Sequence, residues 1–370
     1  MRVLVTGARA PISADIVRSM VSAGHQVHIT DNLRWPVGRF SPGIAGYHRL
    51  PAPARYFEAF RQDIIALVVR LDIERIIPTS EEVFWLAQIP ELEKILFAPT
   101  MTQLERLHNK HRFAQIAGRL GYGAPVACEL TTRYEAEAFV AKYDPADFVL
   151  KPCYSRFGNR VLFSPSSDDV LSLPLNEPWL AQSRVSGREV CVYSIAAQGQ
   201  RCLHMAYEPV YRAGPGASIY FRPVHEPQIQ VFVEAVLADQ RLTGQVSFDV
   251  MLTGSGVVAL ECNPRGVSGI HLAAQATQEL ALALAGTKTE LNFAPEPRML
   301  AMAFLLYQSG ALLRKAGLRD FFEARDALAA AGVPVFGSLL ATAELLGLSL
   351  LAGRSPLSTS TADIEWNGTR

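Results

Sequence analysis

Gln245-Val-Ser-Phe-Asp-Val-Met-Leu-Thr-Gly-Ser-Gly-Val-Val-Ala-Leu-Glu-Cys-Asn-Pro-Arg265 is the stretch on which the reading of this chain turns. Two apolar runs flank the turn Thr253-Gly254-Ser255-Gly256, and the pattern predicts a hairpin. Residues two apart on a strand share a face. Glu261, Asn263 and Arg265 therefore point one way, and the hairpin brings Asp249 opposite them. Two carboxylates and an amide carbonyl are hard oxygen ligands of the kind that hold Mg²⁺ against substrate phosphates. Arg265 would then meet a phosphate or an acyl phosphate. Cys262 falls on the opposite face and reads as core. The alternative for the same segment is an ordinary polar surface hairpin.

The surrounding sequence narrows the class. A chain of 370 residues is long enough for two or three domains. Its 49% hydrophobic and 19% charged residues fit a globular protein with a sizeable core. Thirty-five basic and thirty-five acidic residues cancel, so overall charge points to neither nucleic acid nor a membrane surface. Cys128, Cys153, Cys191, Cys202 and Cys262 are scattered without a CxxC pair, which suggests reduced thiols in a cytoplasmic protein. The start, Met1-Arg-Val-Leu-Val-Thr-Gly, reads as a strand and lacks the apolar h-region of a signal peptide. Gly337–Ala352 is apolar but contains Thr342 and Glu344, and it reads as a buried helix too short to span a bilayer.

Strand and helix patterns alternate over the first hundred residues: Arg2–Thr6, Ile12–Ala23, Gln26–Thr30, Tyr56–Leu71, Arg75–Pro78, Glu81–Ala87 and Lys94–Ala98. Such alternation predicts an α/β domain with a parallel sheet, here over residues 1–100. Thr6-Gly7-Ala8 after the first strand and Asp31 at the end of the second invite a dinucleotide-binding reading. The loop Gly7-Ala-Arg-Ala-Pro11-Ile-Ser argues against it, with one glycine where the fingerprint needs three and with a proline that lacks an N–H. From Val126 the pattern becomes mixed α+β with antiparallel strands at Val126–Leu130, Asp147–Lys151, Arg160–Phe163, Trp179–Gln182, Glu189–Ala197 and Arg201–Tyr211, then a helix at Ile229–Asp239. After Ser268 it is helical: His271–Ala285, Met299–Lys315, Asp320–Ala331 and Ser338–Ala352, with an irregular polar tail from Ser355.

Several residues then line up in order. Lys110 opens a helix, Lys151 ends the strand Phe148-Val-Leu-Lys-Pro152, and the loop Cys153-Tyr-Ser-Arg-Phe-Gly-Asn159 follows. Trp179-Leu-Ala-Gln-Ser-Arg-Val-Ser-Gly-Arg-Glu-Val190 comes next, and the acidic hairpin last. This order resembles the ATP-grasp superfamily, most closely its carbamoyl-phosphate-synthase-like and amino-acid-ligase branches, over roughly residues 1–290. Its most specific parts are Glu-x-Asn-x-Arg with an acid on the preceding strand, and Ser186-Gly-Arg-Glu189. Ile77-Pro-Thr-Ser-Glu-Glu82 is similar to the domain preceding the grasp. The resemblance implies a Rossmann-like domain over 1–100, an ATP-grasp domain of two subdomains over 101–296 with the nucleotide between them, and a helical C-terminal segment over 297–370. It implies that Lys110 and Lys151 contact ATP phosphates, that the loop with Ser155 and Gly158 closes over them, and that Gln182, Ser183 and Val185 form the adenine hinge. By the same resemblance, Glu189 takes the ribose hydroxyls, and Asp249, Glu261 and Asn263 hold Mg²⁺, as two ions, with Mn²⁺ as an alternative metal. The loop has Gly158 and Arg156 where the family has a glycine-rich version, and Gln182 stands where many members have Glu.

ATP-grasp enzymes phosphorylate a carboxylate and let an amine or other nucleophile displace phosphate, so the resemblance implies an ADP-forming ligase acting on a small carboxylic acid and an amine. Positioning and charge carry phosphoryl transfer, and no protein nucleophile is needed. Arg265 would stabilise the acyl phosphate. The segment Tyr211–Arg222 offers Arg222 or Arg212 for a carboxylate, or is a plain connection; His271 is an acid/base candidate or a packed histidine. Residues 297–370 would cover the substrate, form a homodimer face or pack on the core. Carbamoyl-phosphate-like chemistry on bicarbonate, a non-catalytic ATP-binding partner protein, and an NAD(P) oxidoreductase are the competing readings.

Overall fold

Arg2–Thr6, the apolar N-terminal run, is a central strand of a parallel sheet in the computed structural model, which describes residues 1–154, 160–291 and 294–368. The sheet order is Gly46–Arg49, Gln26–Asp31, Arg2–Thr6, Arg75–Ile77. Alternation divides the central strand between two cores, as a sheet covered on both faces requires. Val3 and Val5 pack with Ile12, Ile16 and Met20 of one helix. Leu4 packs with Phe60, Ile64 and Leu67 of another. Lys94–Ala98, read as a strand, contributes a single bridge between Ile76 and Leu96.

The antiparallel part of the molecule forms two sheets. One runs Ala127–Leu130, Trp179–Ser183, Phe148–Pro152, Leu162–Phe163. The other has seven strands, in the order Gly256–Asn263, Gly244–Thr253, Arg188–Ala197, Gln200–Pro209, Tyr220–Val224, Arg298–Met299, Arg325–Asp326. Val190, Val192, Phe248, Val250 and Cys262 on one face meet Phe113 and Phe232. Tyr193, Ile195 and Met205 on the other face join the core that contains Val3 and Ile16. The acidic hairpin is thereby held on both sides. Two helices escape the sequence reading, Arg133–Lys142 and Ser167–Leu171, although each begins with a capping box, Thr132 with Glu135 and Ser166 with Asp169.

The C-terminal segment departs most from expectation. The helix Val335–Ala352 is not buried: only Gly337 and Ser349 are, and Phe336, Leu339, Leu350 and Leu351 are 59%, 51%, 83% and 88% exposed. With 18 residues and mean hydropathy 1.8, it is long and apolar enough to cross a membrane by length and composition. It lies against the N-terminal domain instead, where Glu344 accepts the backbone N–H groups of Arg34 (2.8 Å) and Trp35 (2.6 Å). The tail is also not irregular throughout: Pro356–Thr361 is a helix. Beyond it, Asp363 joins Asp31 in pairing Arg9, so the acid at the end of the second strand is engaged by the protein itself.

Trp366 completes the N-terminal core. It stacks on Phe84 with centroids 6.3 Å apart and meets Trp85 edge-on at 5.3 Å. Trp85 Nε1 donates to the Ile364 carbonyl at 2.9 Å. Trp366 is 4% exposed. Replacing Trp366 with Ala should cost about 3–5 kcal/mol, as for other buried Trp truncations. Urea unfolding of the full chain checks this; a loss below about 1 kcal/mol would show that the tail merely rests on the domain.

Candidate active site

Asp249 and Glu261 are register partners across the hairpin, and the ladder slips immediately after Asp249. Bulges of this kind re-aim side chains beside sites. Asn263 Nδ2 donates to Glu261 Oε1 at 3.4 Å, and Arg265 Nη2 donates to Asn263 Oδ1 at 3.4 Å. Ser247 fixes the end of the strand: its hydroxyl donates to the carbonyls of Asn263 (3.1 Å) and Arg265 (2.9 Å). Arg265 also lies 3.5 Å from Glu81, a fully buried carboxylate of the N-terminal domain. The four residues of the opening motif thus share one face and reach across to the parallel-sheet domain.

Two lysines approach the same cluster from other elements. Asn109 caps the helix Lys110–Arg119 by accepting from Arg112 N at 3.0 Å, which sets Lys110 at its first turn. Lys110 Nζ is 3.4 Å from Glu261 Oε2 and donates to the Cys153 carbonyl at 3.4 Å. Lys151 stands on the strand Phe148–Pro152. Burial, tempered by Glu261 and reinforced by Lys110, pulls the Lys151 ammonium down to about 8. Burial works against ionisation of Glu261, yet Lys110 and Lys151 hold its carboxyl well below the usual range. Asp249 goes the other way, pushed up to about 8 by burial and by the facing Glu261 charge.

That opposition is the test of whether a divalent cation fits. Two carboxylates in register, one of them driven toward its neutral form, leave oxygen ligands that a cation would satisfy. Among the described residues no three His, Cys, Asp or Glu gather as an all-protein metal cage. Mg²⁺ suits this limited set, since it is held by one or two carboxylates together with substrate phosphates. Asp249, Glu261 and the Asn263 carbonyl are the residues that would hold it.

The expected nucleotide residues fall into several places. Gln182 lies in an inner strand of the smaller antiparallel sheet, beside Val149, and its Nε2 reaches the Leu260 carbonyl at 3.5 Å. Ser183 N donates to the Val126 carbonyl at 2.8 Å, and its hydroxyl accepts from Val126 N at 2.9 Å. Val185 follows in the connection to Arg188–Ala197. Ser155 and Gly158 lie outside the described residues. Glu189 stands at the start of its strand on the acidic side, ion-paired to Arg212 at 2.6 Å.

A cavity of about 260 Å³ opens from Asp249, Glu261 and Asn263 toward the N-terminal domain. Arg265 and Arg212 line it, the latter on the small hairpin Arg212–Ala213 and Ala217–Ser218. Two catalytic expectations are corrected. Arg222 lies outside this cavity, 3.5 Å from Asp320, because its strand pairs it with Glu208. His271 is fully buried, with Nδ1 2.6 Å from Asp15 Oδ2, and packs as a core histidine rather than facing the site. The sequence reading also missed contributors. Thr79 and Ser80 line the cavity from the parallel sheet, and Ser360 and Thr361 from the C-terminal helix. Glu82 holds the first pair in place by accepting from Thr79 N (2.8 Å), Ser80 N (3.2 Å) and Thr6 Oγ1 (2.8 Å). Gly7 is required there: at φ +68°, a Cβ would sit 2.4 Å from Thr79 Oγ1. An acid pair such as Glu81-Glu82 in an otherwise apolar segment was the available signal; nothing local marks Ser360 or Thr361.

Residues 107–268 match the family model described as ATP-grasp domain. No curated protein sequence matches the chain. Among solved structures, N5-carboxyaminoimidazole synthetase from Staphylococcus aureus complexed with ADP is similar at TM-score 0.65 and 11% identity, covering 84% of this chain and 85% of that one. The biotin carboxylase domain of 2-oxoglutarate carboxylase from Hydrogenobacter thermophilus, with MgADP and bicarbonate, superposes at TM-score 0.61 and 13% identity, over 80% of this chain and 71% of that one. L-amino acid ligase from Bacillus licheniformis gives TM-score 0.59 at 16% identity, over 78% and 75%. At these identities the likeness establishes the fold.

Proposed function

Because residues 107–268 match the model of an ATP-grasp domain, we propose that the protein is an ADP-forming ligase that phosphorylates a small carboxylic acid and couples it to an amine. The observation that carries this is the cross-strand Asp249–Glu261 pair, joined by Asn263 and Arg265 and flanked by Lys110 and Lys151. Mg²⁺, as two ions or with Mn²⁺ in its place, supplies charge neutralisation between the phosphates when bound. Lys110 and Lys151 bind phosphate oxygens as point charges. Gln182, Ser183 and Val185 position the adenine, Glu189 accepts from the ribose hydroxyls, and Ser155 and Gly158 cover the phosphates. A carboxylate oxygen of the acid attacks the γ-phosphorus as the bond to ADP breaks. Arg265 holds the resulting acyl phosphate; the amine attacks its carbonyl carbon, phosphate leaves, and the amine gives up a proton. The known structures that share the fold include ligases named for an amino acid and a protein complexed with bicarbonate, so bicarbonate stays in the acid panel. Phosphate release over pairs of carboxylic acids and amines tests the reading; ATP cleavage to AMP and pyrophosphate would sink it. We place the enzyme in the cytoplasm, on the strength of its five free thiols. Residues 1–100, 101–296 and 297–370 are taken as its three units.

Arg212 is the side chain we assign to the acid or to a carboxylate on the amine. It lines the cavity and is 30% exposed. Hydrogen bonds to charged groups contribute about 1.5–3 kcal/mol. Arg212→Ala should therefore raise the KM for the organic substrate about ten-fold to a hundred-fold, with the KM for ATP little changed. Arg222→Ala should leave both near wild type. Equal effects of the two substitutions would remove Arg212 from substrate recognition.

We further propose that a second copy covers the helix Val335–Ala352. Phe336, Leu339, Ala343, Leu346 and Leu350 are all exposed and recur at heptad spacing, the pattern of a helix-to-helix seam. Glu344 is turned to the protein body, so the outward seam carries no charge. Burying it in two copies removes roughly 1,000–1,600 Å², in the range of specific interfaces. Light scattering should show a dimer for the wild type and a monomer for Leu346→Glu. A monomeric wild type, or one that partitions onto lipid vesicles through this helix, contradicts the pairing.

A further inference from the structure

A second cavity, of about 430 Å³, lies away from the catalytic one, where the helix Ile12–Ser22, the turn after Ser268–Ala273 and the C-terminal segment meet. Arg18, Arg298 and Arg325 line it. Arg298 is 2% exposed. A guanidinium carries five donors. Among the described residues, that of Arg298 makes no hydrogen bond: its ion pair is with Glu296 at 3.9 Å, and its Nε is enclosed without an acceptor. Buried polar groups are normally satisfied, and a buried charge without good partners is costly. Burial, with Arg325 and Arg18 close by, lowers the Arg298 pKa against the pull of Glu296 and Asp15.

The neighbours deepen the imbalance. Arg325 is the register partner of Arg298 on the adjacent strand, and like charges placed opposite one another repel. Both arginines draw on the same half-exposed Glu296, which is 3.2 Å from Arg325 Nε and also accepts from Gln275 Nε2 at 3.0 Å. Arg18 directs its terminal nitrogens to the carbonyls of Ala274 and Ala330, and its Nε is enclosed without an acceptor. Of the other acids, Asp15 holds His271 through Oδ2 and turns Oδ1, which makes no hydrogen bond among the described residues, toward Arg18 at 3.6 Å, and Asp326 accepts from the backbone N–H groups of Ala301 (2.9 Å) and Ala329 (3.0 Å).

We propose that this cavity binds a small oxyanion, a phosphate or carboxylate group, gripped by Arg298 and Arg325 with Arg18 Nε at its side. The planar forks of arginine match such groups. The turn that leads to Ala274 and Gln275, which line this cavity, begins at Ser268, which lines the catalytic one.

Thermal unfolding of the full chain tests the site, with potassium phosphate or sodium succinate titrated against potassium chloride at equal ionic strength and Mg·ADP present throughout. The expected result is saturable stabilisation by phosphate or by succinate beyond chloride, the two salts separating phosphate from carboxylate as the ligand. It should persist in Glu261→Gln and weaken at least about ten-fold in Arg298→Met. If Arg298→Met does not fold, Arg325→Met alters a 66% exposed side chain and should weaken the effect several-fold. Equal midpoints in the three salts, or an anion effect that follows Glu261 rather than the arginines, overturns the assignment.

Discussion

Replacing Glu261 with Gln should cut ATP turnover by about a thousand-fold or more while the chain stays folded. Glu261 faces Asp249 in register, accepts from Asn263 and pairs with Lys110, so it joins the proposed metal ligands to a phosphate-binding lysine. The amide keeps the size and one oxygen but loses the charge that the metal and the lysines need. Metal-centred charge stabilisation is worth several kcal/mol, and about 4 kcal/mol is a thousand-fold in rate. Folding should not suffer in proportion, because the substitution also removes the like charge that, together with burial, pushes the Asp249 carboxyl up. Steady-state ADP release, with urea unfolding as the control, checks both halves. Turnover within about ten-fold of wild type would show that Glu261 is not a metal ligand.

Arg265→Lys should lower kcat by about ten- to a hundred-fold with the KM for ATP little changed. Arg265 contacts Asn263 at 3.4 Å and Glu81 at 3.5 Å, and it lines the cavity where the acid would sit. Lysine keeps the positive charge but not the fork that grips a planar or phosphoryl group at two points. Alanine is the poorer probe, since it would leave the fully buried Glu81 without this cation. A kcat unchanged in Arg265→Lys, with KM raised for both substrates, would mean that Arg265 only binds and does not stabilise the phosphorylated intermediate.

The chemistry-bearing hairpin was readable because its information is local. Alternation along Gln245–Arg265 fixes which side chains share a face; continued from the Thr253–Gly256 turn the ladder would set Asp249 against Leu260, and the bulge after Asp249 sets it against Glu261 instead. Three strands of the parallel sheet were readable from apolar runs for the same reason; the edge strand Gly46–Arg49, with a polar sequence, was not. The sequence left Arg222 and His271 open between a site role and a structural one because burial and pairing with distant elements decide them: Asp320 lies about a hundred residues from Arg222, and Asp15 lies 256 residues from His271. The helix Val335–Ala352 misled because apolar composition implies burial only on average. Here the docked side is the one with Gly337, Glu344 and Ser349, and the leucines face outward. Trp366 carried no local sign that it would enter a core built from residues between Leu4 and Leu104.

Calorimetric titration of ATP into the wild-type chain, with and without Mg²⁺ and with NADH as competitor, bears most directly on the central claim that the Asp249–Glu261–Asn263 cluster holds a metal–nucleotide complex. The expected result is saturable binding of ATP that strengthens with Mg²⁺, loses that metal dependence in Glu261→Gln and is unaffected by NADH. Saturable NADH binding that Mg·ATP neither matches nor displaces would contradict it.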